Sequence, residues 1–256
     1  MQLTILGSGT LYPRTARSES GYLLAAGGQV FLLDSGAGTK RQIVRAGQDV
    51  FAIHHVFYTH THVDHVHDLP GLLWTWAHAS ATQHLVNLFG PPQFAGFYEQ
   101  LVRAFYPNIS QKQNKISVTL QELRNANFAV GAVTVTTRLL TEKMGSTFCS
   151  DAVGYRFTCN GKSIVYCGDS SEESKDDVIT LASGADVLLI DCGAAKSGQD
   201  HLTPELVGQI AAAAQVRLVI PTHFYPAVEK LPIKKIIRRY YSGKIVLAKD
   251  FLKIKI

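Results

Sequence analysis

The sequence predicts an α+β protein with a two-layer β core and helices outside it. Three observations carry this expectation. Short apolar runs joined by glycine turns open the chain, mixed strands and helices follow, and strands alternate with helices toward the end. The polar cluster Tyr58-Thr59-His60-Thr61-His62-Val63-Asp64-His65 lies between a buried strand and an apolar helix. Three later apolar runs each close on an acid or a histidine: Asp169, Asp191 and His223.

In chain order, Leu3-Thr4-Ile5-Leu6 reads as a strand turning at Gly7-Ser8-Gly9-Thr10. That turn is not a dinucleotide fingerprint, because the spaced third glycine and a following helix are missing. Tyr22–Ala25 and Gln29–Asp34 form a hairpin, and a helix runs from Thr39 to near Gly47. A strand from Ala52 to Tyr58 delivers the cluster, and a helix from about Leu69 to Ala81 leaves it. A strand around His84–Phe89 precedes an amphipathic helix over Phe94–Phe105. Val118–Leu123 and Phe128–Leu140 read as β, with Val133–Thr136 alternating as a half-buried strand does. Asn160-Gly161 is a strong hairpin signal between Tyr155–Cys159 and Lys162–Cys167. Next come a helix over Lys175–Ser183, a strand over Ala185–Asp191, and a helix from Thr203-Pro204 to Ala214 with a threonine cap. Arg217–Ile220 is a buried strand, Ile233–Tyr241 a helix and Lys244–Leu247 a closing strand. No linker, repeat or low-complexity tract interrupts residues 1–256, so one domain is expected.

Composition narrows the function classes. With 46% hydrophobic and 18% charged residues, the chain has material for a sizeable core. The net charge of +5 suits an anionic substrate. Lys and Arg are spread out, which does not indicate nucleic-acid binding, and the run Lys234–Arg239 reads as the wet face of a helix. The four cysteines form no Cys-x-x-Cys pair, and the N-terminus enters a strand without a leader pattern. Free thiols and a cytoplasmic location are expected. No apolar run reaches the roughly 18 residues a membrane-spanning helix needs.

The cluster offers the donors that zinc, manganese or iron take, neutral imidazole and carboxylate. Burying so many polar groups without compensation would be costly. Alternate residues of an extended segment point the same way, so His60 and His62 can grip one ion. Asp64 and His65 can face a second point if the chain then turns. At the strand ends, Asp169 can bridge two cations and His223 can complete the second shell. Asp191 reads equally well as a turn cap or as support for the site.

Thr59-His60-Thr61-His62-Val63-Asp64-His65 resembles the signature of the metallo-β-lactamase superfamily. Gly7-Ser8-Gly9-Thr10, Leu33-Asp34-Ser35-Gly36, Tyr166-Cys167-Gly168-Asp169, His201–Glu205 and Pro221-Thr222-His223-Phe224 resemble its ribonuclease Z-like branch. The resemblance implies a four-layer αββα sandwich and a dinuclear metal-dependent hydrolase, usually acting on phosphodiesters. It implies His60 and His62 as ligands of the first ion, Asp64, His65 and His223 as ligands of the second, and Asp169 as the bridge. It implies His201 as the acid that protonates the leaving group and Asp34 as a supporting carboxylate behind the ligands. Relatives often form homodimers, which is analogy alone.

Two departures qualify the resemblance. The family's further first-ion histidine is missing, and by register Glu142 falls in its place, where an oxygen ligand would favour manganese. Members that process transfer RNA carry a long arm before the bridging aspartate; here a loop and a hairpin already fill the 27 positions from Glu142 to Asp169. A small phosphodiester is therefore the expected substrate, attacked by hydroxide on the paired ions with Asp64 orienting it and His201 donating a proton. The alternatives are a sulfatase, thioesterase or lactonase, a transfer-RNA 3′-endonuclease, or a non-catalytic metal or ligand sensor.

Overall fold

The computed structural model describes residues 1–106, 115–140, 151–198 and 200–256. Glu142 and Cys149 lie outside the described residues. Antiparallel strands β1 (Gln2–Gly7), β2 (Gly21–Ala26) and β3 (Gln29–Ser35) begin the chain. Helix α1 (Thr39–Arg45) then crosses to β4 (Ile53–Phe57), which pairs parallel with β3. The short helix α2 (Val63–Val66) and helix α3 (Leu69–Ala79) lead to β5 (His84–Gly90). Helix α4 (Phe94–Phe105) precedes β6 (Ile116–Glu122), and β4, β5 and β6 are parallel neighbours.

A second set of strands follows. An antiparallel meander is made by β7 (Ala126–Val130), β8 (Val133–Leu140), β9 (Ala152–Cys159) and β10 (Lys162–Tyr166). Helix α5 (Lys175–Ala182), β11 (Val187–Asp191), helix α6 (Pro204–Ala213) and β12 (Leu218–Thr222) come next. Helix α7 (Ile233–Ile237), β13 (Lys244–Ile245) and β14 (Lys253–Lys255) complete the fold.

Among the described residues two seven-stranded sheets form, ordered β14-β1-β2-β3-β4-β5-β6 and β13-β12-β11-β10-β9-β8-β7. Their inner faces meet through buried residues such as Leu3, Ile5, Phe31 and Phe57 on one sheet and Val135, Tyr155, Phe157 and Ile164 on the other. Phe31 and Phe57 both contact Phe157, with ring centroids 5.8 and 5.1 Å apart. Leu72, Leu73, Trp76 and Phe94 of α3 and α4 cover the outer face of the first sheet, against Leu32, Val56 and Leu88. Leu181, Val207, Ile210 and Ile237 bring α5, α6 and α7 into the core of the second sheet. The layers therefore run helix, sheet, sheet, helix, as expected for an αββα sandwich.

Two expectations need correction, and one strand has no signal in the sequence. The β stretch Phe128–Leu140 is two strands, broken at Gly131 by the tight turn that pairs Val130 with Val133. The last helix stops at Ile237 rather than Tyr241. Tyr240 and Tyr241 both donate to the Ile237 carbonyl, and the Tyr241 hydroxyl reaches the Val216 carbonyl at 2.8 Å, so tertiary contacts pull the chain off the helix axis. Strand β14 was not read. Its Lys-Ile-Lys is too short to show a period, and only pairing to Gln2–Thr4 makes it a strand.

Candidate metal centre

The site forms where strand tips of both sheets converge. In the second sheet β10, β11 and β12 are parallel neighbours, with Tyr166 opposite Leu189 and Asp191 opposite Thr222. Asp169, Asp191 and His223 consequently leave one edge side by side, the place where parallel sheets gather function. In the first sheet β3 ends near Asp34, and its parallel partner β4 leads to His60 and His62. The turn α2 then carries Asp64 and His65 inward, both buried.

Asp34 anchors this arrangement. It is fully buried and accepts the backbone N–H of Thr59 at 2.8 Å, the Thr59 hydroxyl at 2.8 Å and His65 Nδ1 at 2.8 Å. The Tyr166 hydroxyl donates to the same carboxylate. Burial, reinforced by Asp34, pushes the Tyr166 phenol well above its ordinary value, so it stays a neutral donor. The bond to Asp34 sets the His65 tautomer, with Nδ1 toward Asp34 and Nε2 facing the cluster. Asp34 and His223 both hold left-handed backbone, at φ 52° and 58°, strain that collects at functional sites.

Two groups of donors face each other across Asp169. In one, His223 Nε2 lies 3.2 Å from Asp64 Oδ2, 3.3 Å from Asp169 Oδ1 and 3.4 Å from His65 Nε2, and His65 Nε2 lies 3.0 Å from Asp169 Oδ1. In the other, His60 Nε2 lies 3.0 Å from His62 Nδ1 and 3.6 Å from Asp169 Oδ2. His62 is half-buried and meets His60 in this group, its ring 4.5 Å from the His60 ring. The two carboxylate oxygens of Asp169 thus serve different groups.

These residues fit divalent cations on three counts. Donors about 2.0–2.1 Å from a tetrahedral ion stand roughly 3.3–3.4 Å from one another, close to the spacings in the His223 group. Asp169 Oδ1 is buried without a hydrogen bond of good geometry, although His65 Nε2 and His223 Nε2 stand 3.0 and 3.3 Å away. Finally, the electrostatics call for positive charge. Burial opposes the charge of His65 and His223, yet the Asp169 carboxylate outweighs it, raising His65 well above its usual range and His223 to about 10. Burial would also raise Asp64 and Asp169; the imidazoles of His223 and His65 hold both below the usual carboxylate range. His60 shows the reverse, pushed well below its ordinary value by burial and by His65, so it presents a neutral ligand nitrogen.

Asp191 supports both neighbours. Its Oδ1 lies 3.4 Å from His223 Nδ1, and its Oδ2 lies 3.3 Å from His201 Nδ1 and accepts the Leu202 N–H at 3.0 Å. His201 sits just before α6, whose cap Thr203 accepts from the Leu206 N–H. Its Nε2 faces the Tyr225 hydroxyl at 3.2 Å. Thr59 and Tyr166 stand inside the quoted motifs without a role assigned to them, and Tyr225 stands outside every motif. His67, His54 and His78 are exposed and His84 Nε2 donates to the Ile53 carbonyl, so the structure brings none of them into the cluster. Among the described residues no helix is long and apolar enough to cross a membrane.

Comparison with known proteins places this geometry. The beta-lactamase superfamily domain matches residues 30–224. Ribonuclease Z of Haloferax volcanii is 27% identical over 310 aligned positions, covering 100% of this chain and 95% of that protein. The metallo-beta-lactamase fold protein YhfI from Bacillus subtilis superposes with a TM-score of 0.81 at 20% identity, covering 99% of this chain and 98% of that one. The short form of human tRNase Z gives 0.80 at 23% identity, covering 100% and 99%. The chain belongs to the beta-lactamase superfamily and is a metal-dependent hydrolase with the metallo-β-lactamase fold.

Proposed function

We propose that the chain is a phosphodiesterase acting on a small anionic phosphodiester with two divalent ions. The observation that carries this reading is the place of His201. It stands between the donor cluster and an open cavity, with Asp191 on one ring nitrogen and the other directed outward toward Tyr225. His60, His62 and Asp169 would hold one ion, and Asp64, His65, His223 and the other oxygen of Asp169 the second. Zinc, manganese and iron all accept this set. Bound ions would supply Lewis-acid neutralisation of the phosphoryl oxygens and would activate water. Asp64 orients the attacking water. His201 donates its Nε2 proton to the departing oxygen, and Asp191 keeps the ring in register as the proton leaves.

The size of the substrate follows from what the chain lacks. The alignment with the Haloferax protein runs over 310 positions against 256 residues here, so that protein holds segments without a counterpart in this chain. With no room for an RNA-binding arm, a small diester is favoured over a transfer-RNA precursor. The name of that relative is the observation favouring the second reading, cleavage of transfer-RNA 3′ ends.

The test is elemental analysis of protein purified without added metal, paired with hydrolysis of bis-p-nitrophenyl phosphate, aryl sulfate, a lactone and a precursor transfer RNA. About two ions per chain and preferred cleavage of the diester are expected. One ion and no turnover would make the protein a sensor. Faster cleavage of the RNA, the sulfate or the lactone would transfer the function to that class.

A further inference from the structure

Next to His201 lies a cavity of about 740 Å³ lined by Tyr12, Gly193, Asp200, Tyr225, Pro226 and Lys230 among others. Its size is that of a small-molecule site. We propose that the Tyr12–Tyr225 corner of this cavity is a subsite for a planar aromatic or heterocyclic ring carried on the leaving group. The inference rests on the phosphodiesterase reading, and it names the chemical class of substrate.

The argument is geometric. A leaving oxygen protonated by His201 Nε2 must emerge beside the Tyr225 hydroxyl, 3.2 Å away, so the group attached to that oxygen enters the cavity. There it meets aromatic faces. The Tyr225 ring lies 5.0 Å from the His201 ring, and Tyr12 stands edge-on to Tyr225 at 5.6 Å and 76°. Tyr12 is 49% exposed, leaving much of its ring uncovered. Edge-on tyrosines form two walls of a slot in which a flat ring stacks on one and meets the other at its edge. Charge does not make the selection, because Asp200 and Lys230 place one charge of each sign on the lining.

Both walls are fixed in place. Glu229 pairs with Arg14 and with Arg17 Nε, the latter at 2.6 Å. Arg14 Nη2 donates to the Phe224 carbonyl at 2.7 Å, and the Arg17 guanidinium lies over the Phe224 ring at 4.8 Å. Arg17 Nη1 also donates to Ser8 Oγ and to the Ala248 carbonyl. The loop bearing Tyr12 is thereby clamped to the segment bearing Tyr225. A slot held this way spends little ordering entropy when a ring enters.

The test uses the full metal-loaded chain and two probes, adenosine 5′-monophosphate and ribose 5-phosphate, which share phosphate and sugar and differ in the ring. Calorimetry should show the nucleotide binding about tenfold tighter to the wild type, as stacking on one aromatic side chain provides. Tyr12→Ala should erase that difference while Tyr12→Phe keeps it. Tyr12 is half-exposed and touches no donor of the cluster, so the variants should fold. Equal affinity for both probes in the wild type, or an equal loss for both in Tyr12→Ala, overturns the subsite. Discrimination without turnover of bis-p-nitrophenyl phosphate would retain the subsite and sink the phosphodiesterase reading. Turnover without discrimination would do the opposite.

Discussion

The two halves of the metal centre are built by different means. The half from the first sheet is contiguous: His60, His62, Asp64 and His65 lie within six positions, on the loop after β4 and the turn α2. The half from the second sheet is scattered. Asp169, Asp191 and His223 come from the tips of three strands spread over more than fifty residues, and parallel pairing brings them together. A contiguous half is made by local backbone geometry; a scattered half exists only once the sheet has formed. The first should tolerate damage to the second as a folded segment, but neither should hold ions alone, because Asp169 stands in both donor groups.

The largest expected effect breaks that junction. Asp169→Asn keeps the shape and removes the charge that both imidazole groups face. Elemental analysis should find at least one ion lost per chain, and diester turnover should fall by about 10³-fold or more, the scale of losing metal-assisted charge stabilisation. Full metal content in this variant would mean that the two halves bind ions independently.

A second experiment sharpens the comparison by separating proton transfer from metal binding within the scattered half. His201 lies just before α6, with Nδ1 3.3 Å from Asp191 Oδ2 and 3.9 Å from Asp169 Oδ2, and its ring 5.1 Å from that of His223. His201→Ala should slow turnover of esters with poor leaving groups by about 10²–10⁴-fold and slow p-nitrophenyl esters less, because a good leaving group needs no proton. Metal content should stay at the wild-type level. Loss of an ion would reassign His201 from acid to ligand.

The same contrast explains what could be read in advance. The cluster from His60 to His65 was legible because so many ligand types in so few positions have no cheap structural explanation. Asp169 and His223 were legible less directly, because each ends an apolar run and parallel strands carry such ends to one edge. Asp34 drew notice through the resemblance, but its hold on Thr59, His65 and Tyr166 spans up to 132 residues of sequence and has no local signal. Tyr225 was missed for the same reason, since its partner His201 is 24 positions away. The two-layer β core with helices outside followed from strand and helix order and the four-layer αββα sandwich from the family resemblance, whereas β14 depended on pairing with the opposite end of the chain.

Asp34 lies behind the contiguous half, so its loss should weaken the site without dismantling it. In Asp34→Asn the amide must turn an N–H toward at least one of three donors: Thr59, His65 Nδ1 or the Tyr166 hydroxyl. Metal affinity should drop about 10- to 100-fold, the usual cost of removing a carboxylate that orients a ligand histidine. Competition with a metal-sensitive dye measures it. An unchanged affinity would show that packing alone positions His65.

The smallest effect concerns the seam between the halves. Gly168 precedes Asp169 with φ +61°, and a Cβ there would meet Thr59 Oγ1 at 2.4 Å. Thr59 is the residue whose N–H and hydroxyl both bind Asp34. Gly168→Ala therefore combines a left-handed alanine with pressure on the contiguous half, at a cost of about 1–3 kcal/mol. For a chain of this size that is a fall in Tm of roughly 2–10 °C. Gly161→Ala is the matching control, since its φ is +73° and nothing lies within 4 Å of a Cβ there. Both variants share the backbone strain, but only the first presses on Thr59. A lower metal affinity in Gly168→Ala alone would show that the two halves communicate through this contact. Equal behaviour of the two variants would reduce Gly168 to an ordinary turn glycine.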